Sequence, residues 1–586
     1  MNKNKRLSKK IYLKNSFFSN LNRQSLFGTV FITLVVPYSV SEAVQPKAGD
    51  IIESMPSGQV YIDQFSQSGP AISTPDSINT KIKVFVKSFV FRGNSKIKSK
   101  HLLEVLSDFI NKQLSFEELE LAVSLISEEY RSKGFWAVAY LPEQELKDGV
   151  VKIQILEGRI GQLRFLEPDN EKNLNLSQEK AKEYILKGQD KDQMLNISAL
   201  EKSIKTLDNV PGITAAASLV AGFNPGETDI IVSMSNTKLF SGSVRMDNHG
   251  SNSAGEIRLS GNVSMDGVFN LGDSLSVSSL KSEGIDYTSI GFNFPIGLDG
   301  SRADLSYSFL DYSLGEQFND IQANGTANNY SLQVHKPLPK LANINLASNF
   351  SITHKKLLDK TVAGVSADKT VDVLDASLSF NDRDPGNNVN YGSITLVRGN
   401  LNLSGNNTDL SMDKSTANRH GDFFKVEYSL GRLQRLSDKN YISVVINGQV
   451  AFDNLDSSEK MSLGGASGVR AYPTGEGMGD TAAVLRTEFR HNFSEKWQGM
   501  IFYDHGATML NHHVWNNWNS ENENLENSYQ LKGVGAGINL INTESYEFGF
   551  YAGRRLGENP GRGNSGRDSD GTLKKLRYWL LFKRKF

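Results

Sequence analysis

A glycine-rich loop at residues 463–480 holds the side chain that is best suited to one directed contact. Six residues of the loop are glycine, and its one arginine, Arg470, lies between Val469 and Ala471, with Tyr472 following. Glycine lets a loop turn tightly and approach other backbone closely. Arginine offers five donors in a planar fork that matches a carboxylate. The loop therefore predicts a contact between Arg470 and one acidic partner.

Other motifs that could carry catalytic or cofactor chemistry fail on their context. The glycine repeats at 475–479 and 533–537 do not open a helix after a strand, as a dinucleotide-binding turn must. Ser467 lacks the pattern of a nucleophile elbow. His512 and His513 lie in an asparagine-rich stretch, and no third metal ligand accompanies them. The sequence therefore predicts no catalytic residue, no metal site and no cofactor.

Composition excludes several classes of partner and site. The chain has 586 residues, a net charge of −1 and no cysteine. A near-neutral charge gives no reason to expect nucleic acid as a partner. The lack of cysteine excludes disulfides, zinc–thiolate sites and a catalytic thiol. The mean hydropathy is −0.37, which a membrane barrel tolerates because only alternate residues of its strands face lipid.

The N-terminus has the features of a secretory signal peptide over residues 1–43. Seven basic residues lie between positions 3 and 23, and the apolar run at 26–36 has 11 residues, too few to cross a bilayer. We expect cleavage after Ala43. Residues 44–80 read as a linker rich in Pro, Gly and Ser, with one short helix possible between Ala48 and Met55.

Residues 81–157 predict a compact α+β unit. Strands with alternating apolar and polar residues lie at its start and at its end, and a first helix covers about 99–109. A second helix begins at a capping box formed by Ser115 and Glu118.

Residues 158–237 repeat this order of strands and helices. We expect a helix over about 178–186 and a second helix that begins at a capping box of Ser198 and Glu201. The sequence therefore predicts two α+β units in tandem.

From residue 239 to residue 586, apolar and polar residues alternate with period two, and no helical period interrupts them. Such alternation is typical of an outer-membrane β-barrel. At roughly 20 residues per strand with its connection, the stretch predicts about 16 antiparallel strands. A soluble β-sandwich would alternate in the same way, but the signal peptide and the chain end disfavour it.

The loop sequence Val469-Arg470-Ala471-Tyr472 resembles the VRGY-type loop of the two-partner secretion transporters, the TpsB family of ShlB/FhaC/HecB type, with alanine where glycine is commoner. The runs at 140–144 and 157–160 resemble the first POTRA domain of that family. The resemblance implies a transmembrane β-barrel at 239–586 that two periplasmic POTRA domains precede.

A second motif, Phe502-Tyr-Asp504-His-Gly506, is similar to the FxDxG strand of the same family. In the related barrels this aspartate faces the lumen and receives the loop arginine. The resemblance thus implies an Arg470–Asp504 pair within a loop–barrel contact that also includes Val469, Tyr472, Phe502 and Gly506. The terminal aromatic strand resembles an insertion signal, here carried by Tyr578, Phe582 and Phe586.

The resemblance also implies the function. We expect an outer-membrane transporter that exports a large partner exoprotein bearing an N-terminal secretion domain. The cargo class stays open between an adhesin, a cytolysin and a haem-acquisition protein. Outer-membrane lipid and the outer-membrane assembly machinery are further expected partners. The N-terminal helix and linker either plug the pore or form a tether.

Two alternatives remain at this point. An outer-membrane assembly factor of the same superfamily would insert barrels instead of secreting a partner, but such proteins usually carry more POTRA domains. A passive porin or receptor would need neither the two α+β units nor the Val-Arg-Ala-Tyr loop.

Overall fold

The computed structural model describes residues 47–48, 83–146, 148–166, 174–189, 194–224, 226–384, 386–520, 522–541, 543–563 and 566–586. The predicted signal peptide lies outside these residues. So does the predicted linker at 44–80, apart from Lys47 and Ala48.

The first α+β unit packs two helices against small sheets. Its elements are β1 (Lys83–Val86), β2 (Ser88–Arg92), α1 (Ser99–Val105), β3 (Lys112–Ser115), α2 (Phe116–Ser132), β4 (Ala137–Tyr140) and β5 (Val150–Glu157). Three of the strands form a sheet in the order β2-β5-β4, in which β4 is an edge. The Ser115–Glu118 capping box begins α2 as expected. The apolar face of α2 then covers the sheet through Leu119, Ala122, Val123 and Ile126.

The second unit repeats this plan with a sheet in the order β6-β8-β7. Its elements are β6 (Arg159–Phe165), α3 (Gln178–Leu186), α4 (Ile197–Asp208), β7 (Ile213–Ala221) and β8 (Glu227–Asn236). The predicted start of α4 is wrong. Asn196 caps this helix by accepting a hydrogen bond from the Ala199 N–H, because asparagine caps as well as serine does. Ser198 therefore lies inside the first turn.

The rest of the chain forms one closed antiparallel barrel. Its sixteen strands pair in chain order, and β24 closes the ring on β9. They are β9 (Phe240–Asp247), β10 (Arg258–Asp266), β11 (Ser274–Lys281), β12 (Ile285–Pro295), β13 (Arg302–Ser313), β14 (Asn324–Leu341), β15 (Ile344–Thr361), β16 (Gly364–Arg383), β17 (Val389–Asn402), β18 (Gly421–Arg435), β19 (Asn440–Ala451), β20 (Thr481–Asn492), β21 (Trp497–Met509), β22 (Ser528–Leu540), β23 (Tyr546–Arg555) and β24 (Leu576–Lys585). The prediction of about 16 antiparallel strands is confirmed.

Period-two alternation places apolar side chains on the outside of the barrel. On β13, for example, Leu305, Tyr307 and Phe309 are exposed, whereas Ser308 is buried on the lumen side. The expectation of an uninterrupted strand pattern is wrong, because α5 (Asn407–Ser415) connects β17 to β18 and two short 3-10 helices lie at Glu316–Ile321 and Ser457–Glu459. Asn406 caps α5, and the polar sequence of this helix has no apolar period that would predict it. Among the described residues, no helix is long and apolar enough to cross a membrane.

The second α+β unit contacts one end of the barrel, which we call the proximal end; the opposite end is the distal end. Leu176 of the second unit forms a β-bridge with Leu271, in the turn between β10 and β11. The Tyr184 hydroxyl donates to the Gly297 carbonyl, in the turn between β12 and β13. The second unit is thus docked on two proximal turns. The connection between β19 and β20, residues 452–480, leaves the distal end.

We expect the 239–586 fragment to be rich in β-structure and to migrate differently in detergent gels before and after boiling. The reason is that a closed barrel pairs every strand on both sides and leaves no unpaired edge. Circular dichroism and gel mobility check this expectation. A spectrum dominated by helix would contradict it.

Candidate functional site

The connection between β19 and β20 folds back into the lumen. Two strand-like segments within it pair with each other, since the Met461 and Gly479 backbones exchange hydrogen bonds of 3.0 Å. The glycine-rich loop at 463–480 then runs down the wall formed by β20 and β21. Its tip reaches Asp504, which lies near the middle of β21. This connection therefore enters the lumen and reaches the height of the barrel centre.

A tight turn presents Arg470 at the tip of the loop. The Tyr472 N–H donates to the Val469 carbonyl at 3.1 Å, which places Arg470 and Ala471 at the two corners of the turn. Neither corner residue has a positive φ. A type of turn that needs no glycine at its corners therefore explains why alanine fits where the family motif commonly has glycine.

Arg470 and Asp504 form a fully buried pair. The Nε and Nη2 atoms of Arg470 donate to the two oxygens of Asp504 at 2.9 Å and 2.7 Å, and the Arg470 backbone N–H donates to Oδ2 at 3.0 Å. Both side chains have zero exposure. The planar fork thus meets the carboxylate with two parallel bonds, the geometry with the greatest directional preference.

Two aromatic side chains, Phe502 and Trp579, also contact Arg470. The Arg470 Cζ atom lies 3.5 Å from the centre of the Phe502 ring, close enough for a cation–π contact. The indole Nε1 of Trp579, on β24, donates to the Arg470 carbonyl at 2.8 Å. The tip of the loop is therefore attached to β21 and also to the last strand of the barrel.

Glycines in the barrel wall make room for this loop. A Cβ atom added at Gly506 would lie 2.9 Å from Val469 Cγ2, and one added at Gly533 would lie 2.7 Å from the Ala471 Cβ. A Cβ atom added at Gly553 would lie 2.7 Å from the Arg470 carbonyl oxygen. Larger residues at these positions would push the tip away from the wall.

Sequence reasoning missed the second carboxylate of the site, Glu488 on β20. The Nη1 atom of Arg470 lies 2.8 Å from Glu488 Oε1. Arg486 and Arg490 contact the same carboxylate at 3.2 Å and 2.6 Å. Part of the signal lies in the sequence, because Arg486, Glu488 and Arg490 alternate and so share one face of a strand, but this alternation does not show that the strand faces the loop. Charges on the lumen face of a barrel strand need partners.

A further contact joins the glycine-rich loop to the connection between β23 and β24. The buried carboxylate of Glu476 accepts a hydrogen bond from the Ser569 N–H at 2.9 Å. Burial raises the pKa of the Glu476 carboxyl to about 7, and the neighbouring charge of Asp568 acts in the same direction. Two contacts thus hold the glycine-rich loop in place: that of Arg470 at the barrel centre and that of Glu476 near the distal end.

The residues expected to form an insertion signal lie on the outside of β24. Tyr578, Phe582 and Phe586 are 54%, 46% and 53% exposed. Arg584 shares this face, and its guanidinium lies 5.8 Å from the ring of Tyr546. These residues therefore belong to the outer surface and have no part in the lumen contact.

The first α+β unit has a groove between its edge strand and a helix. The groove encloses about 540 Å³ between α2 and β4, and exposed apolar side chains line it, among them Phe116, Val138 and Tyr140. On the edge strand β4, the Ala139 N–H donates to the Ser127 hydroxyl at 3.0 Å. An open sheet edge beside apolar side chains can accept an extended peptide as an added strand.

No cluster of three or more histidine, aspartate or glutamate side chains suited to a metal ion occurs among the described residues. His512 and His513 contact each other with ring centres 4.4 Å apart. The His512 N–H donates to Asp480, so its backbone helps to hold the distal connections together.

Comparison with known proteins gives the family. The model of the haemolysin secretion/activation protein family ShlB/FhaC/HecB matches residues 226–540, more than half of the chain, and the ShlB-type POTRA model matches residues 84–158. The heme/hemopexin transporter protein HuxB of Haemophilus influenzae is 28% identical over 86% of this chain and 89% of its own length. The outer membrane transporter CdiB of Dickeya dadantii is 23% identical over 67% of this chain and 68% of its own.

Solved structures agree with this fold. CdiB from Escherichia coli superposes with a TM-score of 0.63 at 18% identity, over 92% of this chain and 95% of that one. BamA from Haemophilus ducreyi, lacking its POTRA domains 1–3, superposes with a TM-score of 0.54 at 14% identity, over 86% and 100%. The predicted family, barrel fold and outer-membrane location are confirmed. The chain belongs to the ShlB/FhaC/HecB family of haemolysin secretion/activation proteins, outer-membrane transporters that export a partner exoprotein.

Proposed function

We propose that the transporter rests in a closed state, which the glycine-rich loop maintains by occupying the lumen. The observation that carries this proposal is the buried Arg470, whose guanidinium bonds Asp504 and Glu488 on the barrel wall. Export of an extended chain requires this loop to move. Because no nucleotide-binding motif is present in the sequence, directed movement comes from folding of the cargo at the cell surface. We assign no catalytic role to any residue.

The N-terminal segment is a second element of closure. Ala48 is buried among apolar residues of the lumen wall, and its N–H donates to Asp359 Oδ1 at 2.9 Å. Asp359 lies near the distal end of β15, whereas Lys83 begins the first α+β unit beyond the proximal end. Residues 47–48 thus occupy the lumen in the resting transporter, which favours the plug over the tether.

The groove of the first POTRA domain receives the cargo. An extended segment of the exoprotein's secretion domain adds to β4 and replaces the Ser127 hydroxyl as the partner of the Ala139 N–H. Apolar side chains of the segment pack on Phe116, Val138 and Tyr140. Main-chain pairing supplies affinity and the groove supplies specificity.

The cargo is a large haem-acquisition exoprotein. Support comes from the HuxB relatives, which are named for heme and hemopexin and align with 86–90% of this chain. The CdiB relatives align with 40–75% of it. The alternative of an assembly factor is supported by nothing beyond the barrel fold that the chain shares with BamA.

The outer face of β24 is the insertion signal. Tyr578, Phe582 and Phe586 are exposed apolar side chains on the last strand, where outer-membrane lipid and the assembly machinery reach them.

Replacing Val138 with aspartate should reduce cargo in the culture supernatant by about tenfold, because a desolvated carboxylate in the groove opposes strand addition. Val90→Asp is the matched control. Val90 is similarly exposed, at 44% against 47%, but lies on the opposite edge strand. Equal losses for both variants, at equal levels of folded transporter, would remove the groove from cargo capture.

Arg470→Ala should impair export more than Asp504→Ala, and Glu488→Gln should impair it least. Loss of the arginine leaves the buried Asp504 without its cation, which costs the docked loop about 3–5 kcal/mol. Loss of Asp504 leaves Arg470 its bond to Glu488, and Glu488 itself also pairs with Arg490. Arg470→Lys should fail in part, since an ammonium cannot span both carboxylates.

Supernatant cargo per unit of heat-modifiable transporter is the measurement. The double variant Arg470→Ala/Asp504→Ala should be little worse than Arg470→Ala alone, because both changes remove one interaction. Arg398→Ala is the control; its pair with Asp422 joins two adjacent barrel strands, but Arg398 is 72% exposed and such pairs contribute little. Additive losses in the double variant would show that Arg470 does not act through Asp504.

Deleting the transporter should remove one large protein from the supernatant and abolish growth on haem–haemopexin as the iron source. Complementation with the intact gene should restore both. Loss of an adhesin or a cytolysin instead, with growth on haem unchanged, would contradict the assigned cargo class while leaving the export function intact.

A further inference from the structure

Another buried ion pair, between Lys369 and Asp456, lies toward the distal end of the barrel, away from Arg470. The Nζ atom of Lys369, on β16, lies 2.8 Å from both oxygens of Asp456. Both side chains are 1% exposed. Asp456 belongs to the first part of the 452–480 connection, so this pair attaches the base of the long connection to the barrel wall.

A neighbouring carboxylate, Asp359, holds the N-terminal segment. Its Oδ1 atom accepts hydrogen bonds from the Ala48 N–H at 2.9 Å and from the Tyr312 hydroxyl at 2.8 Å. Its Oδ2 atom is buried and finds no hydrogen-bond partner in the part of the chain that the structure describes. A buried carboxylate oxygen without a partner is costly, so Asp359 retains an unused capacity to accept a donor.

Strand register places Lys369 beside Asp359 as well. Lys369 pairs with Leu357 and Ala367 pairs with Asp359, so Lys369 and Asp359 are diagonal neighbours on the lumen face. Diagonal neighbours are about 7–8 Å apart, within reach of a long side chain. A change of rotamer can therefore carry the ammonium from Asp456 to Asp359.

Other cations near this place are already bound to acids. Lys355 and Lys425 contact Glu459 at 2.9 Å and 3.1 Å, and Lys460 contacts Asp480 at 3.0 Å. Arg419 reaches Asp456 only at 3.8 Å and bonds Asp413 at 2.7 Å.

Several positively charged side chains surround the Asp456 carboxylate. Although burial raises it, the pKa of Asp456 lies well below its usual range, because Lys369, Arg419 and Lys47 surround the carboxylate. The N-terminal segment thus acts on both acids, through Lys47 on Asp456 and through the Ala48 N–H on Asp359.

We propose that Lys369 couples the N-terminal segment to the 452–480 connection by exchanging one carboxylate for the other. While the segment is in place, Ala48 occupies Asp359 and Lys369 holds Asp456. When the segment leaves, Asp359 loses the Ala48 N–H and takes Lys369, and Asp456 is released together with the base of the connection. This inference rests on the proposed closure of the lumen by these two elements, and it adds the order in which they open.

The chain lacks cysteine, so one introduced thiol can report on the connection. Ser457 follows Asp456, and its buried hydroxyl makes no hydrogen bond within the described residues. Ser457→Cys therefore removes no bond, and its rate of labelling by a maleimide measures opening of the connection in the full-length protein in vesicles. Ala48→Pro removes the N–H that Asp359 accepts, and Ala48→Gly is the control that keeps it.

In the Ser457→Cys background, Ala48→Pro should raise the labelling rate about tenfold, the effect of losing a hydrogen bond to a charged group. Asp359→Asn alone should leave the rate unchanged, because its amide oxygen still accepts from Ala48. Ala48→Pro combined with Asp359→Asn should return to the slow rate, since Lys369 then has no second carboxylate. Ala48→Gly and Lys360→Met, the latter on the exposed face of β15, should label slowly.

A tenfold rise that persists in the Asp359→Asn background would overturn the exchange, and so would a slow rate for Ala48→Pro alone. Conductance of the same variants in planar bilayers separates this outcome from failure of the proposed closure. If deleting residues 44–56 leaves conductance unchanged, the N-terminal segment does not close the lumen. The deletion could instead raise the conductance while the labelling rates of the variants depart from those expected above. In that case the proposed closure stands and only the exchange by Lys369 is wrong.

Discussion

The desolvated guanidinium of Arg470 needs bonding partners on every side, and several parts of the barrel wall provide them. Arg470 has no exposure, and a charge removed from water needs a full set of partners. Two strands supply carboxylates, Phe502 supplies a ring face, and Trp579 bonds the carbonyl of the same residue. Because these groups come from β20, β21 and β24, the loop can dock only in a closed barrel whose last strand is in register.

The need to dock Arg470 explains why glycines occur in the barrel wall, where packing between strands would favour larger residues. Glycine is unfavourable inside strands, yet Gly506, Gly533 and Gly553 lie where the loop packs directly against the barrel wall. A wall of larger residues would make more contacts between strands but would exclude the tip. The barrel thus gives up side-chain packing at three positions so that the loop arginine can reach its carboxylates.

The sequence predicted the barrel well because period-two alternation is a direct consequence of having lipid on one side and the lumen on the other. It predicted α2 from the Ser115 capping box but misplaced α4, since Asn196 caps it just outside the expected box. Arg470 and Asp504 came from motifs, whereas Glu488 needed knowledge of which strand faces the loop. No local pattern reveals that Asp359 and Asp456 lie near one lysine, because strand register brings Asp359 to Lys369 and the folding of the 452–480 connection brings Asp456 there.

Buried ion pairs suit a closed state that has to open. Compared with apolar residues of the same size, such pairs add little net stability, but they penalise any arrangement that leaves one member alone. The loop tip and the base of the 452–480 connection both use them, at Arg470 and at Lys369. An apolar plug would lose its stabilising contacts with the wall gradually as it moves. A charge that can pass from one carboxylate to another instead gives two defined positions, with few stable states between them.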